Sequence, residues 1–376
     1  MDRMFPFGFE SHLSFYLVIY VLTLVSHFFL MTYVLAGSAW LAWATLFPGY
    51  GLLPRTKQPL AMILRDWMPF ALSGAITAGV APLLFVQILY RQQFYTANLL
   101  LGWRWMMVIP ALVIAFYLLY VIKSKAVSHW SFPLRCGLAV GIAASFLFVA
   151  FCWTTNHLLS LDEATWPEMY RSRRAVATIG PLCLRLLTWV AGSFPIMSIL
   201  AGWQLWGMRR LDAKRDLPLP VPNWMAFYSV DERRLAWASV GGLAIAVVSG
   251  VSYATTLNSE VSSQLTGSAG LPWLLVVVTC VSFQAIGWLL QLRKLCFCPR
   301  WLTAITLASL GTLIATASLR EIIRLARADL TQVAESTRAA AEVGGFAVFL
   351  IFTIINTVLI GWCIRIVMNR SANTKK

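Results

Sequence analysis

Leu13 to Phe47 contains no Asp, Glu, Lys or Arg. As a helix rising 1.5 Å per residue this run is about 50 Å long, enough to cross a hydrocarbon core of about 30 Å with turns to spare. One ionisable residue, His27, falls near its middle. Steps of three and four place Tyr16, Tyr20, Thr23, His27, Met31, Val34 and Ser38 on one face, a semi-polar stripe on an otherwise apolar helix. An ionisable side chain at mid-membrane depth faces a bundle interior and needs a partner there.

Further runs of the same kind follow. Nine spans are expected, over residues 13–47, 68–90, 104–122, 134–157, 175–206, 235–257, 271–292, 301–319 and 346–368. The composition agrees: 59% of residues are hydrophobic and 12% charged, with mean hydropathy +0.72, against about 25% charged in a soluble domain. The fold class is all-α, a polytopic integral membrane protein, and residues 1–376 form a single transmembrane helical domain. The first run is far longer than a signal-peptide core and lacks an Ala-x-Ala site, so it is expected to be a retained span. The net charge of +15 does not point to nucleic acid, because the basic residues sit mainly in short loops between apolar runs. Clusters such as Arg209, Arg210, Lys214, Arg215, Arg233 and Arg234, with Arg370, Lys375 and Lys376, favour an N-terminus outside and a C-terminus in the cytoplasm. The 209–234 loop, with Pro218, Pro220 and Pro222, is expected to be an irregular connector.

Four histidines are present. His129 lies in an inner loop, His12 and His157 near outer span ends, and only His27 is placed deep. A buried imidazole serves as a heme or metal ligand, or as a neutral group bonded to a neighbouring helix. Arg185 lies inside the fifth span, with no carboxylate evident in any span core. A bound anion such as a heme propionate would suit its planar guanidinium; snorkelling to the outer surface is the alternative. Arg171, Arg173 and Arg174, and then Arg320, Arg324 and Arg327, make the outer side unusually basic. Propionates, an acidic partner or lipid headgroups would each answer them, as would ion pairs with Glu163, Glu168, Glu321 and Asp329. Of the seven cysteines, none sits in a Cys-x-x-Cys-His, which excludes covalent c-type heme, and Cys296 and Cys298 lack further ligands nearby. No phosphate loop, His-Glu-x-x-His or Gly-x-Ser-x-Gly is present, so no independent catalytic set is evident.

Three stretches share a pattern. LTLVSHFFLMTYVLAGSAWLA (residues 22–42), FALSGAITAGVAPLLFVQ (70–87) and LRLLTWVAGSFPIMSILAGWQLW (184–206) resemble helices one, two and five of subunit I of the cytochrome bd-type quinol oxidases. The resemblance touches roughly the first 210 residues. It implies one b-type heme ligated by His27, with Arg185, Arg320 and Arg324 on its propionates. It further implies the membrane subunit of a respiratory-type redox complex in a bacterial cytoplasmic membrane, meeting a partner membrane subunit or an extracytoplasmic cytochrome. The departures are specific. The family's heme-ligating His of the fifth helix is matched here by Thr188, the third span has no glutamate, and the loop over residues 258–270 is too short for the family's quinol site. Oxygen reduction by this chain alone is therefore not expected, and a heme-free scaffold or interaction subunit that keeps the fold is the alternative. A tag fused after Lys376 is expected to be reachable by an impermeant reagent only from the cytoplasmic face; labelling from outside would reverse the orientation.

Overall fold

The structure, a computed structural model, describes residues 11–47, 59–172, 179–214, 224–294 and 297–342, with 350–352, 354–355, 358–359 and 362 beyond them. The described residues are all-helical. In chain order the helices are α1 (Ser11–Leu46), α2 (Pro59–Leu89), α3 (Arg91–Leu101), α4 (Trp103–Met106), α5 (Val108–Lys123), α6 (Phe132–Leu159), α7 (Trp166–Ser172), α8 (Ile179–Lys214), α9 (Trp224–Ala254), α10 (Ser259–Thr266), α11 (Leu271–Leu292), α12 (Pro299–Leu325) and α13 (Leu330–Glu342). Among the described residues eight segments are long and apolar enough to cross a membrane: α1, α2, α4 with α5, α6, α8, α9, α11 and α12. The expected ninth span, 346–368, lies largely outside the described residues.

Neighbours in sequence pack as antiparallel pairs, α1 on α2, α5 on α6, α8 on α9 and α11 on α12, as short connections require. α1 also packs on α6, α8 and α12, and α8 on α2, α6 and α12, so these two helices form the spine of the bundle. Large apolar side chains such as Phe70, Ile109, Val248, Val278 and Leu307 face outward, where a water-soluble protein would place charge and lipid is the natural solvent. The buried side chains of α1 fall into two apolar clusters. Leu13 to Val25 pack with Phe85, Leu89 and Leu313 at one end; Tyr33 to Ala42 pack with Leu64, Met68 and Leu205 at the other. His27 sits at the junction.

Several boundaries differ from the sequence expectation, and the reason is polar satisfaction at helix ends. α2 starts at Pro59, nine residues before the expected Met68, because its first turn is capped from another helix: Asp231 Oδ2 accepts the Leu60 N–H at 3.0 Å. The 209–234 region is not an irregular connector at its ends, since α8 runs to Lys214 and α9 begins at Trp224. Asp231 and Glu232 on α9 are thereby buried. Glu232 accepts the Phe297 N–H at 2.6 Å and pairs with Arg209 at 2.9 Å, while Arg209 also donates to the Phe297 carbonyl at 3.1 Å. Orphan amides at helix starts favour carboxylates for this purpose. The third span is preceded by a short helix, α3, which ends at Gly102, whose φ is 56° and whose N–H donates to the Asn98 carbonyl. That left-handed conformation suits glycine. The eighth span runs past Leu319 to Leu325, so Arg320 and Arg324 belong to a helix rather than a loop.

α8 and α9 approach closely. A Cβ at Gly242 would meet the Ala191 carbonyl oxygen at 2.6 Å and the Phe194 and Pro195 side chains at 3.1 Å, whereas one at the adjacent Gly241 would meet nothing within 4 Å. Small residues let membrane helices approach in this way. Gly242→Val is expected to lose about 1–3 kcal/mol of stability through overpacking and to lower the unfolding temperature in detergent, while Gly241→Val leaves it near the parent value.

Candidate functional site

The residues that the sequence singles out divide into two places. His27 is on its own, between α1 and α2. Its Nδ1 lies 2.9 Å from the Ala75 carbonyl. A carbonyl only accepts, so Nδ1 carries the proton and the lone pair is left on Nε2. The ring edge rests on the α2 backbone: a Cβ at Gly79 would come within 2.9 Å of both Cε1 and Nδ1. The stretch SGAITAG is thus small where a histidine lies across it. Beside His27, the Phe28 ring of α1 packs against Trp189 of α8, tilted by 58° with centroids 4.4 Å apart, which sets Thr188 at the same level. Thr188 donates to the Leu184 carbonyl at 2.8 Å and shares a hydrogen bond of 2.9 Å with Ser249 of α9. Its side chain joins α8 to α9.

Arg185, Arg320 and Arg324 meet elsewhere, at the end of the bundle where α1 and α8 begin and α2, α6, α9 and α12 finish. Of the three, Arg324 is in hydrogen-bond contact with His157, which lies two residues from the end of α6 and is 3% exposed. Arg324 Nη2 lies 2.9 Å from His157 Nδ1 and 3.3 Å from Ser160 Oγ. Its guanidinium stacks over the Tyr90 ring at 4.5 Å. Arg320 donates to the Tyr20 hydroxyl at 2.9 Å and to Glu321 at 2.8 Å, and the Tyr90 hydroxyl donates to the other Glu321 oxygen at 2.9 Å. Arg185 donates to the Tyr253 hydroxyl at 3.0 Å and stacks over that ring at 5.1 Å. Arg327 reaches the Leu161 carbonyl at 3.4 Å. All four arginines are close enough to bear electrostatically on His157.

Spacing along REIIRLAR stacks Arg320, Arg324 and Arg327 on one helix face, and the continuation of α12 turns that face inward. Arg185 is buried and does not snorkel. Glu321 is fully buried near the end of α12, just beyond the expected span, because hydropathy alone ends the span before it. His157, Tyr20, Tyr90 and Tyr253 complete the cluster, and sequence reasoning does not single them out as its members. The signal available is depth, since all lie near the same ends of their spans. Arg171 and His129 are exposed; Arg173 and Arg174 lie outside the described residues. Among the described residues no group of three or more His, Cys, Asp and Glu could hold a metal ion.

The chain matches no family model, and no curated protein or solved structure is significantly similar to it.

Glu321 is the one carboxylate within salt-bridge distance of the cluster arginines among the described residues. Removing one partner from a buried ion pair costs about 3–5 kcal/mol. Glu321→Gln is therefore expected to lower thermal stability in detergent markedly, whereas Glu168→Gln, at an exposed position, stays within about 0.5 kcal/mol of the parent.

Proposed function

We propose that the chain serves as a heme-free integral membrane subunit, a scaffold or interaction partner in a larger membrane assembly, and that it retains a bd-like fold. The observation that carries this reading is at Thr188, level with His27 on α8, where a hydroxyl tied to Ser249 of α9 stands in place of a ligating imidazole. The His27–Ala75 hydrogen bond over Gly79 also joins α1 to α2, where a mid-membrane donor would otherwise be unsatisfied.

The residues present do not fit a b-type heme held between α1 and α8. His27 turns toward α2, and Thr188, level with it on α8, is tied to Ser249. His157, which lies among the arginines, accepts from Arg324 at Nδ1 and so offers a proton at Nε2 instead of a lone pair. The arginines that would face propionates gather around His157, and no hydrogen bond, ion pair or ring contact among the described residues links them to His27. Orientation with the N-terminus outside, placement in a bacterial cytoplasmic membrane and contact with a partner membrane subunit belong to the same proposal.

One feature favours the redox reading: with Nδ1 donating to Ala75, His27 keeps a lone pair on Nε2 that could bind iron if a heme were held there. The visible spectrum decides between the two. Protein purified from cells supplied with heme is expected to show no Soret band, oxidised or reduced. A Soret band that disappears in His27→Ala would overturn the scaffold reading and establish His27 as a heme ligand.

A further inference from the structure

The His157 cluster holds more positive charge than it balances. Four guanidinium groups, Arg185, Arg320, Arg324 and Arg327, bear on His157, and the one carboxylate within salt-bridge distance of any of them among the described residues is Glu321, beside Arg320 and Arg324, leaving three positive charges. Helix dipoles do not offset this. Of the spanning helices, α2, α6, α9 and α12 direct their C-terminal ends here and α1, α5, α8 and α11 their N-terminal ends, so at roughly half a charge per terminus the two sets cancel. About three positive charges remain in a setting where unpaired charge costs several kcal/mol. The donors are also unspent. His157 Nε2, Arg324 Nε and Arg327 Nε are enclosed by protein without a hydrogen-bond partner, and His157 and Arg324 are each 3% exposed. With Nδ1 accepting from Arg324, the His157 Nε2 is an N–H. Each of these unpaired atoms is a donor, and each needs an acceptor.

We propose that this end of the bundle binds a phosphate group, the headgroup of an anionic phospholipid in the adjoining leaflet, held by Arg185, Arg324, Arg327 and the Nε2–H of His157. Phosphate supplies negative charge and several acceptor oxygens together, and guanidinium forks match it in two-bond geometry. Depth agrees: Arg185 lies six residues from the described start of α8, about 9 Å along the helix, close to the headgroup layer of a bilayer. The direct route from water is less favourable for a free anion. A cleft of about 550 Å³ opens beside Arg327, and Asp162, Glu163 and Glu260 line it. Those carboxylates are exposed and, among the described residues, none is within salt-bridge distance of the cluster arginines. A lipid moving in the membrane plane avoids them. The site stands whether or not His27 carries a heme, since His27 makes no contact with it.

The test uses the full chain purified in a neutral detergent without phosphate. Thermal unfolding is followed on adding phosphatidylglycerol, phosphatidylcholine or inorganic phosphate, and native mass spectrometry reads the bound lipid. Phosphatidylglycerol is expected to raise the unfolding temperature by several degrees and to remain bound, with phosphatidylcholine far weaker. Stabilisation by inorganic phosphate alone would support the site and assign it a soluble ligand. Arg185→Gln and Arg324→Gln are each expected to weaken binding about tenfold or more. Arg327→Gln, at a half-buried position beyond the end of α12, supplies a variant whose folding does not depend on the cluster core. No response of the parent protein to any of the three additions would overturn the proposal, as would an unchanged response in Arg327→Gln together with whichever buried variant folds.

Discussion

Hydrocarbon offers no hydrogen bonds, so each polar group inside this bundle must be answered by another protein group or by something brought in with it. Mid-depth pairs are uncharged and local. Tyr33 donates to Gln204 at 2.9 Å, and Gln284 of α11 accepts from Ser309 at 2.6 Å and donates to Thr312 at 2.7 Å. His27 and Ala75 belong to the same set. Among the described residues charge gathers toward the two ends of the helices, where its desolvation is smaller.

The two ends are built on opposite plans. Where α2 and α12 begin, acids and bases match: Asp231 and Glu232 accept backbone N–H groups at the start of α2 and just ahead of α12, and Arg209 and Arg234 balance them. Gln291 completes the clamp, bonding both the N–H and the carbonyl of Cys298. This end closes on itself. At the other end, where those helices finish, bases predominate. Glu321 answers Arg320 and Tyr90, and the aromatic faces of Tyr90 and Tyr253 cover Arg324 and Arg185. Cation–π contact and hydroxyl acceptors soften the burial of a guanidinium without cancelling its charge. That imbalance separates a binding surface from a structural clamp.

Much of the architecture was legible in the sequence, because the apolar runs are longer than any bilayer requires and lipid exposure demands apolar side chains along their whole length. Residues 271–292 match α11 at both ends. Boundaries failed where charged residues entered a helix: at α2, whose charged first turns resemble a loop, at α9, whose Asp231 and Glu232 resemble a connector, and at α12, whose arginines resemble an outer surface. Hydropathy counts each charge as a reason to leave the membrane. It cannot see that a partner on another helix removes that reason.

Composition and period were enough to establish the helical membrane class, the eight spans found among the described residues, the depth of His27 and the surplus of arginine near one set of span ends, because both act locally along the chain. Helix packing decided the rest: that His27 turns to α2, that Thr188 ties α8 to α9, and that Arg185 of α8 shares an environment with His157 of α6 and Arg324 of α12. Those residues are far apart in the sequence, and no local pattern records which helix faces meet; only the folded bundle brings their side chains to one place.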